Sequence, residues 1–122
     1  MKNILLVGLG GGIGSIARYL CQRFVALNYL HPIPWATLMV NITGCFLIGI
    51  FWGLSFRSFD SNESWKLFLM TGLCGGFTTF SAFTLEGIGL LKEQKLLLFF
   101  GYVAASVVVG LFATFLGMRI IK

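Results

Sequence analysis

The chain has 122 residues, 57% hydrophobic and 11% charged, with a formal net charge of +5 and a mean hydropathy of +0.92. A soluble domain carries roughly 25% charged residues, so the composition indicates an integral membrane protein. The basic residues are scattered near the ends of apolar runs rather than clustered, which argues for membrane flanks and against a nucleic-acid surface.

Four apolar runs follow in chain order, about Ile4 to Val25, Trp35 to Phe56, Leu67 to Leu91 and Leu96 to Met118. Each is near or above the ~20 residues a helix needs to cross ~30 Å of hydrocarbon. They are continuously apolar rather than alternating, so helices and not barrel strands span the membrane. The expected fold is all-α: a single four-helix transmembrane domain over residues 1–122.

The first run carries Arg18 and Arg23 within and after its apolar part, and no small-residue cleavage pattern follows, so it reads as a retained helix rather than a signal peptide. Its GLGGGIG stretch, residues 8 to 14, lacks the strand and βαβ context of a dinucleotide fingerprint. Gly8 with Gly12, Gly10 with Gly14, and Cys45, Gly49 and Gly53 in the second run instead fall at the four-residue spacing that lets helix backbones approach. The connection Leu30-His31-Pro32-Ile33-Pro34 leads into Trp35, an interfacial anchor, and His31 reads as a solvated loop residue. Residues 57–66, with Asp60, Ser61 and Asn62, form a polar connector. Cys21, Cys45 and Cys74 are widely spaced inside the spans, as small buried apolar residues would be.

With four spans, Lys2, Arg57, Lys66, Arg119 and Lys122 share one side of the membrane, and Arg23, Lys92 and Lys95 the other. Five against three is a weak positive-inside bias. It is compatible with insertion in both orientations, hence with an antiparallel homodimer, and also with one orientation with the termini inside. Four helices of this size enclose little, so a pore or binding site calls for a second copy.

Polar side chains inside spans point inward, because an unpaired polar group in hydrocarbon costs several kcal/mol. These are Arg18; Thr37, Asn41 and Thr43; the hydroxyls of residues 78–84 with Glu86; and Tyr102, Ser106 and Thr114. Thr37, Asn41 and Gly44 share a face of the second helix, and Tyr102, Ser106, Gly110 and Thr114 step along one face of the fourth. An isolated hydroxyl in such a stripe commonly bonds back to its own helix; the amide of Asn41 has no such outlet. In the third run, Gly72, Gly75 and Gly76 followed by Thr78 and Thr79 make a poor helix, each glycine costing about 0.8 to 1.0 kcal/mol relative to alanine. A helix break is expected there, with freed carbonyls able to hold a cation and freed N–H groups an anion. Phe80 and Phe83 share a face beside it, and aromatic edges carry the positive partial charge that suits a dehydrated anion. Loops and motifs for nucleotide chemistry or hydrolysis are not found in the sequence.

Three motifs, GGIGSIARY at residues 11–19, TLMVNITGCFLIG at 37–49 and GLCGGFTTFSAFTLE at 72–86, resemble those of the Fluc (CrcB) fluoride channel family. The resemblance covers nearly the whole chain, and the third motif is the most specific. It implies an antiparallel, dual-topology homodimer of four-helix subunits with two pores, in a bacterial inner membrane, exporting fluoride passively to relieve its toxicity. By motif, Asn41 would donate to fluoride and Phe80 and Phe83 would line the pores; Ser81, Thr37, Tyr102 and Ser106 would extend the polar track, and Arg18 would sit near a vestibule. Carbonyls of Gly75 and Thr78 from both subunits would hold a structural sodium ion. Ser15, Ala82 and Gly110 depart from the family pattern, the last two thinning the polar track. The main rival is a proton-coupled multidrug exporter of the four-helix dual-topology type, for which Glu86 would be the membrane carboxylate. A non-transporting subunit, its polar residues serving only as interhelical glue, is a further alternative.

Overall fold

A long apolar run folds as a helix because, in hydrocarbon, each peptide group must find its partner within the segment. The computed structural model describes residues 1–28, 34–57 and 63–121. Helix α1 spans Lys2–Asn28, α2 Trp35–Arg57 and α3 Glu63–Lys66. The chain runs on from α3 into a π-helical segment, Leu67–Cys74, then α4 Gly75–Phe77, α5 Phe80–Lys92 and α6 Leu96–Ile120. Among the described residues four stretches are long and apolar enough to cross a membrane: Lys2–Asn28, Trp35–Ser55, Ser64–Lys92 and Leu96–Ile120. His31, the connector residues Asp60, Ser61 and Asn62, and Lys122 lie outside the described residues.

Two close crossings organise the bundle: α2 along α6, and α1 along the π-helical segment and α4. Both are contacts of backbone on backbone. A Cβ on Gly10 would lie 2.5 Å from the Phe68 carbonyl oxygen and 2.9 Å from the Leu73 nitrogen, and one on Gly14 would collide with the Leu73 carbonyl. In the other crossing Gly49 faces the Thr114 carbonyl and Gly117 the Phe46 carbonyl, again with no room for a side chain. Lipid tails are as apolar as leucine, so close van der Waals contact of this kind replaces the hydrophobic effect as the glue. Gly8 and Gly12 have nothing within 4 Å. Helix positions two apart point to opposite sides, so only the Gly10–Gly14 pair of α1 makes a crossing within the chain.

The buried apolar core is small, comprising Leu38, Val40, Cys74, Leu90, Tyr102 and Ala113. Leu9, Ile16 and Phe24 of α1 and Val108, Leu111 and Phe112 of α6 point outward, a surface that water would penalise and hydrocarbon solvates. Of the three cysteines only Cys74 is buried; Cys45 is half-buried and Cys21 is exposed, because Cys21 lies on the outer part of α1. Between α5 and α6 the chain turns at Gln94, whose φ is 59°, and the Lys95 N–H donates to the Leu90 carbonyl at 2.9 Å.

Candidate functional site

The third span leaves the α-helix twice, first as the π-helical Leu67–Cys74 and then at Thr78 (φ −85°, ψ 161°) and Thr79 (φ −151°, ψ 123°), which are extended. Extended backbone at membrane depth loses its helical partners, and each freed group must be satisfied elsewhere. The Thr78 N–H and its Oγ1 both donate to the Cys74 carbonyl, at 3.0 Å and 2.9 Å. Thr79 turns to α2: its N–H donates to Asn41 Oδ1 at 2.8 Å, and Asn41 Nδ2 donates to the Thr79 carbonyl at 2.9 Å. The Thr79 hydroxyl accepts the Ala82 N–H at 3.2 Å and so caps α5. On the other flank Arg18 Nε donates to the Gly76 carbonyl at 3.3 Å, a cation at the C-terminal end of a helical stretch.

Asn41 therefore acts first as a staple for the backbone. Its amide oxygen and one of its two N–H hydrogens are engaged by Thr79, which leaves the second hydrogen for another acceptor. Register accounts for this pairing: a Cβ on Gly44, one turn further along α2, would meet the Thr78 methyl group, so the glycine lets α2 approach closely enough for Asn41 to reach Thr79.

A cavity of about 360 Å³ opens beside the extended residues, lined among others by Asn41, Gly75, Thr78, Phe80, Phe83 and Ser106. The Phe80 and Phe83 ring centroids are 5.7 Å apart with planes at 41°, and Phe83 lies 5.2 Å from Tyr102. The Ser106 hydroxyl is buried without a hydrogen-bond partner, which leaves its donor unused. The structure thus brings together six of the sequence-selected residues at one site. Four others lie outside the cavity lining. Ser81 is exposed, 3.4 Å from the Thr79 hydroxyl, and Arg18 is bound to Gly76.

Thr37 and Tyr102, outside the cavity lining, each hydrogen-bond to another element. Gln22 Nε2 donates to Thr37 Oγ1 at 3.4 Å, and Tyr102 donates to Glu86 Oε1 at 3.2 Å. The first bond joins α1 to α2 and the second joins α6 to α5. Sequence reasoning passed over Gln22 and did not pair Glu86; the available signal was that Gln22 sits one turn after Arg18, on the same face of α1. Thr114 does not bond back to its own helix but donates to the Cys45 carbonyl of α2 at 3.0 Å.

Four helices long and apolar enough to cross a membrane define a multi-pass membrane protein. Residues 5–118 match the family described as CrcB-like protein, Camphor Resistance (CrcB), and the chain belongs to that family. It is 45% identical over 122 residues to the fluoride-specific ion channel FluC of Flavobacterium psychrophilum, covering 100% of this chain and 98% of that protein. The identity is 44% over 121 residues with the fluoride-specific ion channel FluC of Leptospira interrogans (99% and 95% covered), and 46% over 118 residues with that of Phocaeicola vulgatus (97% and 97% covered).

Proposed function

We propose that the chain is a fluoride-selective passive channel through which cytoplasmic fluoride leaves a bacterial cell, relieving its toxicity. Relatives at about 45% identity over the full length are named fluoride-specific ion channel, and the cavity supports the reading chemically. Fluoride holds its water tightly, so a selective path must replace that shell with several donors held in a narrow, rigid arrangement. The observation that carries the proposal is that one cavity gathers Asn41, Phe80, Phe83 and Ser106 with the Ser106 hydroxyl unpartnered. Ser106 and the spare Asn41 hydrogen donate to the ion, and the edges of Phe80 and Phe83 face it. Ser81, Thr37 and Tyr102 continue the track, and Arg18 draws the anion into the vestibule. Neutral donors bind less tightly than a buried cation pair and so release the ion.

The working unit we propose is an antiparallel homodimer inserted in both orientations, with two pores, in the bacterial inner membrane. Phe80 is 76% exposed in the single chain although it lies mid-span beside the polar site, which suits a second copy covering it. The weak charge asymmetry suits dual insertion. A structural sodium ion at the dimer interface fits the donors present: the Thr79 N–H that would serve the Gly75 carbonyl in a continuous helix is taken by Asn41, and Gly75 and Thr78 both line the cavity. Carbonyl oxygens suit a hard cation, and the ion when bound supplies positive charge that ties the two interrupted spans together.

Efflux from liposomes holding the purified protein tests the channel, with fluoride measured against chloride. Rapid fluoride efflux with chloride retained is expected; equal passage of both, or of neither from a folded protein, contradicts it. Replacing sodium by an organic cation should lower the dimer fraction on gel filtration, and a dimer indifferent to sodium counts against the ion.

A further inference from the structure

The same cavity holds a second set of side chains that the fluoride path does not use. Cys45 of α2, Cys74 at the end of the π-helical segment and Met70, one turn before it, all line it. Cys74 is only 2% exposed, and Cys45 is half-buried. The Cys45 sulfur is accommodated by Gly110 of α6, where a Cβ would stand 3.4 Å from it. Its backbone is fixed by the Thr114 hydroxyl at 3.0 Å. Two thiols and a thioether from two separate elements therefore face one space. Among the described residues no group of three or more His, Cys, Asp and Glu is assembled, so the usual tetrahedral zinc set is not on offer. Soft sulfur donors select soft ions, and an ion satisfied by two thiolates matches what is present.

We propose that Cys45 and Cys74 form a bridging site for a soft, two-coordinate metal ion of the class of Hg(II), Ag(I) and Cu(I), with Met70 as an auxiliary donor, and that its occupation stops ion passage through the cavity. With mercuric chloride each thiol releases its proton, two S–Hg bonds form, and the two chlorides leave with the two protons; no oxidation state changes. Cys45 lies one turn along α2 from Asn41, and the Cys74 carbonyl holds both Thr78 donors. A bridged ion therefore sits between the two elements that fix the extended residues. Block of passage rests on the channel proposal, whereas metal capture does not.

The experiment uses the full chain with Cys21→Ala, since Cys21 lines a different, apolar groove with Phe24 and Met39. Mercuric chloride is titrated in detergent against excess glutathione, and metal retained per chain is measured after gel filtration. One mercury per chain is expected, held about a hundredfold more firmly than in the further variants Cys45→Ala or Cys74→Ala, as linked donors are. Two mercury ions per chain, each lost independently with one cysteine, would overturn the bridge, as would no retention. X-ray absorption at the mercury edge needs no further variant: two sulfur neighbours support the site, and one sulfur with one chloride refutes it. In liposomes the same mercury loading should abolish fluoride efflux and a dithiol should restore it. Full efflux with mercury bound would refute the block while leaving capture to be judged on retention.

Discussion

The third span is handled differently on the two sides of Gly76. Before it, the π-helical Leu67–Cys74 is pressed against α1 with glycine against backbone at Gly10 and Gly14, while its Met70 and Cys74 line the cavity. After it, Thr78 and Thr79 are extended and are held by side chains: Asn41 on the Thr79 peptide, the Thr78 hydroxyl on Cys74 and the Thr79 hydroxyl on Ala82. Both regions depart from the α-helix, yet the first is sealed by shape and the second by hydrogen bonds. Shape has no tolerance for added volume, whereas hydrogen bonds leave room between the elements they join. The difference predicts which substitutions damage assembly and which damage passage.

The largest effect is expected from adding volume to the sealed side. Gly14→Leu drives a side chain into the Leu73 carbonyl, with a cost at or beyond the ~3 kcal/mol end of overpacking. Monodisperse protein on gel filtration should be lost. Recovery at wild-type yield would mean that α1 can pull away, and that the crossing is not rigid. Next comes Asn41→Ala, which strands the Thr79 N–H and carbonyl at about 1–3 kcal/mol each. Both thermal stability in detergent and fluoride efflux should fall together; efflux lost with stability unchanged would make Asn41 a pure ion ligand and remove the staple. Thr79→Val deletes the α5 cap, at about 1 kcal/mol, and should slow efflux with a modest drop in melting temperature. The smallest effect is assigned to Thr114→Val, far along α6, which loses its bond to Cys45 at about 0.6 kcal/mol and should leave efflux unchanged.

The four spanning helices are legible in the sequence because each is a long apolar run, and hydrocarbon permits few other structures. Residues 72–79 are legible as poor helix from their glycines and threonines, but the π-helical winding of Leu67–Cys74 is not, since its leucines, phenylalanine and methionine suit an ordinary helix. Asn41 stands out as an amide at depth that needs a partner; that the partner is the Thr79 peptide depends on the register of α2 against the third span, which Gly44 sets by contact. The bonds from Gln22 to Thr37 and from Tyr102 to Glu86 are hidden from the sequence for the same reason, because each joins two elements that share no spacing. Glycine pairs on α1 illustrate the limit from the other side: Gly8 with Gly12 and Gly10 with Gly14 are equivalent as patterns, and only packing distinguishes them.

The central claim is that the cavity beside the extended residues is the fluoride path. It is tested most directly by fluoride and chloride efflux from liposomes carrying wild-type protein or Phe80→Ile, at matched amounts of folded protein. Phe80 makes its ring contact only with Phe83 among the described aromatic pairs, and isoleucine keeps an apolar side chain toward the second copy, so the substitution should spare assembly. Rapid fluoride efflux with chloride retained in the wild type, and its loss in Phe80→Ile, is the predicted result; undiminished fluoride efflux in the variant would contradict the account.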